Sequence, residues 1–156
     1  MKYMALPLIF LLLITSCGTQ DVCDDDNQSY LVARFKTTDI SETRDSIIAD
    51  ISIYGIREGK ADSLIYNTVS TSRIELPLDQ NNEFTSFVLS NTFDQDTLIL
   101  SHSSEVYLIN YTCGFASRFI MDQASDAGRW MLELEVRDKN IDAEMEPDEE
   151  HLWIYF

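Results

Sequence analysis

Apolar and polar residues alternate along much of this chain with a period of two. That is the mark of strands with one face in a core and the other in water. Leu31, Ala33 and Phe35 alternate with Val32, Arg34 and Lys36, and Ala49, Ile51 and Ile53 with Asp50, Ser52 and Tyr54. Ile74, Leu76 and Leu78 alternate with Arg73, Glu75 and Pro77. The plainest run comes late: Trp130, Leu132, Leu134 and Val136 point one way, Met131, Glu133, Glu135 and Arg137 the other. Leu152, Ile154 and Phe156 close the chain in the same style. Further strands are predicted over 63–67, 83–89, 97–101, 105–111 and 115–121. Pro77 has no N–H for a ladder and marks an edge or a strand end. No segment carries the 3.6-residue period of an amphipathic helix.

About eight to ten short strands with polar turns predict an all-β domain, a single β-sandwich of immunoglobulin-like or transthyretin-like form. A small β-barrel is the alternative. Asp-Ser-Ile-Ile at 45–48, Asp-Ser-Leu-Ile at 62–65 and Asp-Thr-Leu-Ile at 96–99 read as turns leading into strands, not as a structural repeat. Apolar residues make up 45% of the chain, enough for a packed core despite a formal charge of −16. The length fits one domain.

The N-terminus departs from this pattern. Lys2 is followed by ten apolar residues from Ala5 to Ile14, interrupted only by Pro7 in its backbone character. A bilayer-spanning helix needs about 20. A basic start, an apolar stretch and the small residues Thr15 and Ser16 read as a secretory signal peptide over residues 1–16. Ile14-Thr15-Ser16-Cys17 resembles the bacterial lipobox, which implies that Cys17 is acylated and begins the mature chain. That chain would hold 140 residues, sixteen of the 156 being removed, and loss of Lys2 takes the charge to −17. Several acyl chains on one residue give stable anchoring at about 0.8 kcal/mol per buried CH₂. Gly18 in place of Asp favours, by the same resemblance, the outer membrane, with its periplasmic or surface face left open. Residues 17–29 form a lipidated start and acidic tether, and 30–156 the sandwich.

With Cys17 lipidated, Cys23 and Cys113 remain. An even remainder outside the cytoplasm is most simply a disulfide. It would close a loop of 90 residues, worth about 4 to 5 kcal/mol in the chain-entropy description. The competing reading makes Cys113 a nucleophile, but no His lies in a recognisable partner motif. Asp24, Asp25 and Asp26 read as a solvated spacer. They also stand near the position of the acidic surface-display signal of some Bacteroidota lipoproteins, without copying it. An EF-hand loop starting at Asp24 fails: Ser29 occupies the glycine position and Phe35 the final glutamate position.

In order along the chain, the lipobox, Cys23, a strand at Tyr30–Phe35, Ile74-Glu75-Leu76-Pro77-Leu78, Cys113-Gly114 and a last strand entered by His151 resemble a group of Bacteroidota lipoproteins classed as a domain of unknown function. The resemblance implies no activity and carries over no functional residues. It does support the pairing of Cys23 with Cys113.

Chemistry is sparse in the sequence. Gly-x-Ser-x-Gly, His-Glu-x-x-His and phosphate-cradling glycine loops are missing. His102, among serines, reads as a turn residue, and His151, beside Glu149 and Glu150, as a surface or capping residue. Asp142, Glu144, Glu146, Asp148, Glu149 and Glu150 line the last connection. Oxygen ligands of this kind suit Ca²⁺, with a solvated loop as the plainer account. Paired carboxylates for glycoside hydrolysis need a cleft, which a sandwich this small seldom encloses. Trp153 and Tyr155, out of phase with Leu152 and Ile154, are candidates for outward aromatic contacts with protein or glycan. The negative charge excludes nucleic acid and disfavours anionic headgroups, so the membrane is held through lipid. The expected function is therefore a non-enzymatic accessory or binding module of the cell envelope, partnered by another envelope protein. A surface glycan- or calcium-binding module is the alternative.

Overall fold

The computed structural model describes residues 27–39, 42–57, 60–128, 130–143 and 148–156. Eleven strands follow one another without a helix among these residues: β1 (Tyr30–Asp39), β2 (Glu42–Asp45), β3 (Ile48–Arg57), β4 (Lys60–Thr71), β5 (Arg73–Pro77), β6 (Phe84–Ser90), β7 (Gln95–Asn110), β8 (Gly114–Asp126), β9 (Glu133–Val136), β10 (Asn140–Ile141) and β11 (Leu152–Tyr155). They form two sheets. One runs β2-β1-β11-β9, with β5 also paired to β1. The other runs β10-β8-β7-β6-β3-β4. The predicted sandwich is what forms, and the barrel does not.

The core is the sum of the inward positions. Leu31, Ala33 and Phe35 of β1, Ile74 and Leu76 of β5, and Leu152 and Ile154 of β11 meet Ile51, Ile53, Phe87, Leu89, Leu98, Leu100 and Met121 of the other sheet, all buried. Phe156 closes one end, edge-on to both Phe35 and Trp130 with ring centres 6.2 Å apart.

The first and last strands lie side by side and parallel, Ala33 opposite Leu152 and Phe35 opposite Ile154. Antiparallel β9 then covers the far edge of β11. Pro77 is the last residue of β5, as its missing N–H requires.

Several predicted orientations are corrected. Ala49 is exposed while Ile48 and Ile51 are both buried. Asp50 sits at φ 54° and Thr68 at φ 51°, and the register between β3 and β4 shifts there. This bulge puts inward residues at odd spacing. Val32, expected outside, is fully buried beside His151. Leu132 is 78% exposed and Met131 is buried in its place. Residues 130–132 are not strand, so period-two parity holds only from Glu133.

The predicted strands at 97–101 and 105–111 are one sixteen-residue strand, β7. Short β2 and β10 carry no alternation to betray them. Of the three Asp-Ser/Thr phrases, only 45–48 spans a link between strands; 62–65 lies within β4 and 96–99 within β7.

Candidate functional site

Strands of both sheets and their connections line a groove of ≈ 590 Å³. That volume falls within the range of small-ligand sites, and a sandwich of this size was not expected to hold it. One wall is the strand pair β3–β4, through Gly55, Ile56, Ser63 and Ile65. A second is the β5–β6 connection, Leu78 to Gln80, with Thr85, Ser86 and Phe87 of β6. The third is Asn27–Ser29 with Val106, Phe115, Ser117 and Phe119 of β7 and β8.

Local hydrogen bonds set these walls. Asp79 opens the connection as a turn: its Oδ1 accepts the Asn81 N–H at 2.9 Å and its Oδ2 accepts from Asn82 Nδ2 at 2.8 Å. Those two bonds, with the field of Arg57 at the rim, hold its carboxyl below the usual carboxylate range. Gln80 fastens the turn to the opposite wall. Its Oε1 accepts from Ser117 Oγ at 2.7 Å and its carbonyl from Ser104 Oγ at 2.9 Å. Ser29 Oγ donates to the Ser117 carbonyl. Gly55 matters because the groove begins where its side chain would be. A Cβ there would lie 3.1 Å from Ser63 Oγ and 3.8 Å from Ile65 Cδ1.

His102 stands behind this wall and is no turn residue. It lies within β7, 1% exposed, edge-on to Phe119 with ring centres 5.3 Å apart. Its Nε2 shares a 2.8 Å hydrogen bond with Thr85 Oγ1, which also accepts the Asp79 N–H at 2.9 Å. Among the described residues its buried Nδ1 has no hydrogen-bond partner. Burial lowers its pKa below the ordinary 6.5, against the opposing fields of Asp79 and Asp122. The signal for an inward His102 was present: Asp96, Leu98 and Leu100 share its parity and are buried.

The residues predicted from sequence are scattered. Cys17 and Cys23 lie outside the described residues, as do Glu144 and Glu146. Cys113 sits in the β7–β8 turn, where its N–H donates to Asn110 Oδ1 at 2.7 Å and its carbonyl accepts from Asn27 Nδ2 at 2.5 Å. It is not a free thiol.

Glu150 is drawn into the outer face of the first sheet, paired with Arg34 Nε at 2.7 Å and Lys36 Nζ at 3.7 Å. Glu149 Oε1 is 3.2 Å from Nε2 of His151. His151 is buried rather than exposed, and its Nδ1 accepts the Val32 N–H at 2.9 Å. Among the described residues no three His, Cys, Asp or Glu side chains cluster as a metal site.

Trp153 and Tyr155 do face outward from β11, but half-buried. Trp153 lies between Lys36 and Arg137, 4.3 and 4.0 Å from its ring centre, and donates from Nε1 to Glu150. Tyr155 donates to Glu135 Oε2 at 3.0 Å. Neither touches the groove.

No helix among the described residues is long and apolar enough to cross a membrane. Comparison with curated proteins and with solved structures gave no match. Residues 50–156, from within β3 through β11 to Phe156, match a family model, and the chain belongs to that family, a family of unknown function (DUF6452).

Proposed function

We propose that this chain is an outer-membrane lipoprotein held by acyl chains on Cys17, and that its sandwich is a non-enzymatic binding module for another envelope protein. The groove carries the reading. Its lining is mixed, apolar at Ile65, Leu78 and Phe87 and bearing hydroxyls and amides at Ser63, Thr85 and Gln28. Such a surface suits an extended polypeptide, whose side chains meet the apolar positions and whose backbone groups meet the polar ones. A disulfide between Cys23 and Cys113 belongs to the same proposal. Asn27, four residues after Cys23, already bonds to the Cys113 carbonyl.

A photo-reactive residue replacing Gln28, on the wall opposite Gly55, in growing cells should cross-link one discrete envelope protein. Gly55→Leu, which fills the groove, should abolish that adduct while leaving the protein folded. No adduct, or one indifferent to Gly55→Leu, rejects the binding role. Cys17→Ala should release the protein from the membrane fraction; its retention there would reject the anchor.

One observation favours a glycan as the second reading. Phe115, 67% exposed, stands on the groove beside the amides of Asn27 and Gln28. Binding on a glycan array that is lost in Phe115→Ala would select it, and a blank array would remove it.

A further inference from the structure

The β7–β8 hairpin outruns its sheet. The pairing of β6 with β7 ends at Ser101, and that of β10 with β8 involves only Phe119 and Ile120. Beyond Ser104 and Phe119 the two strands pair, among the described residues, only with each other, up to Asn110 opposite Gly114. Leu108 lies opposite Phe115 and Val106 opposite Ser117, and directly opposed residues project to one side. This side continues the face that buries Phe119 and Met121 lower down. The inner face of the sandwich therefore runs out past the opposing sheet, with Val106 63%, Leu108 43%, Phe115 67% and, in the turn, Tyr111 99% exposed. No residue from Val106 to Ser117 is charged, in a chain of net charge −16.

We propose that the tip of this ribbon docks into the surface of the bilayer that holds the lipid anchor, with Tyr111 at headgroup depth. The inference rests on the anchoring proposed above. The chain enters the fold at the ribbon, because Asn27 bonds to Cys113 in its turn. The ten residues from Cys17 to Asn27 reach at most roughly 33 Å. With Cys23 joined to Cys113, the reach from lipid to turn falls to about 20 Å. From Ser117 to Gly114 the ribbon extends about 10 Å at strand rise, more than the roughly 7 Å of headgroup layer on one side of a bilayer. Aromatic rings with a polar edge favour that layer. Asp21 and Asp24–Asp26 lie between lipid and fold and disfavour anionic headgroups, so the surface taken is zwitterionic.

The test uses the full lipidated protein in phosphatidylcholine vesicles that contain brominated phosphatidylcholine. Two single variants are compared with the unchanged protein, whose Trp130 and Trp153 set the background. Tyr111→Trp reports the ribbon. Phe93→Trp, 95% exposed in the β6–β7 turn at the opposite end of β7, is the control. The expected result is a blue shift and loss of most of the added emission for Tyr111→Trp, with Phe93→Trp unquenched. Flotation with the vesicles but equal quenching at both positions, or none at Tyr111→Trp, overturns the docking and leaves the anchor standing. A blue shift at Tyr111→Trp without quenching puts protein, such as a second copy, on the ribbon and also overturns it. Failure of the lipidated protein to float overturns the anchor and the docking together.

Discussion

Asp96 is 2% exposed, and backbone N–H groups surround its side chain. Its Oδ1 accepts from Thr97 at 2.8 Å, and its Oδ2 from Trp130 at 3.0 Å and Met131 at 3.3 Å. It thereby fixes the non-strand stretch that turns Met131 inward and Leu132 out. Asp96→Ala leaves those N–H groups without the carboxylate and should cost about 3 kcal/mol, read as a lower urea midpoint with an unchanged m-value. His102 gives a pH signature. Its folded pKa is depressed by burial, so its contribution is complete above the ordinary 6.5 and is lost as pH falls below that value. There the unfolded chain takes a proton that the folded one refuses. Stability should decline as pH falls through and below the ordinary 6.5, and His102→Leu should flatten that slope in denaturation at each pH. Both residues were legible in principle, since they continue the parity of Leu98 and Leu100. Their polar side chains, and the serines around His102, argued for a turn instead.

At the level of strands, alternation located most elements and missed others for physical reasons. A bulge such as that at Asp50 breaks parity without leaving a distinctive residue. β10 is two residues long, too short to alternate. β2 is exposed at all four positions, so nothing in it has to be apolar. The groove was invisible for a related reason. It is assembled from β3, β4, β6 and β8 and the Asp79 turn, whose meeting depends on sheet order rather than on any local pattern. The outer face of the first sheet shows what β11 contributes besides its core residues. Trp153 is clasped by Lys36 from β1 and by Arg137 from beyond β9, so one ring ties three neighbouring segments. Trp153→Ala should lower stability by about 2 kcal/mol. Arg44→Ala, which removes an exposed pair with Glu42 at the sheet edge, should change it by less than about 0.5 kcal/mol. Parallel urea titrations of the two variants would show this contrast.

For the whole molecule, the fold class followed from periodicity, but the strand order did not. No local signal announces that β1 will take β11 as its parallel neighbour. That pair joins residues 119 apart, as in the bond from the Val32 N–H to His151. A chain ending at His151 should therefore fail to fold cooperatively, seen as loss of the near-ultraviolet dichroism of its tyrosines and tryptophans and of a sharp thermal transition. A strand supplied so late to the middle of a sheet also acts as a clock. Until residues 152–155 are available, Ala33 and Phe35 lack their neighbours in β11, and the core lacks Leu152 and Ile154. Closure must wait for non-local pairing, which is slow. A polypeptide whose core needs residues 152–155 cannot become compact before they have been made, and until then it stays an open, threadable chain.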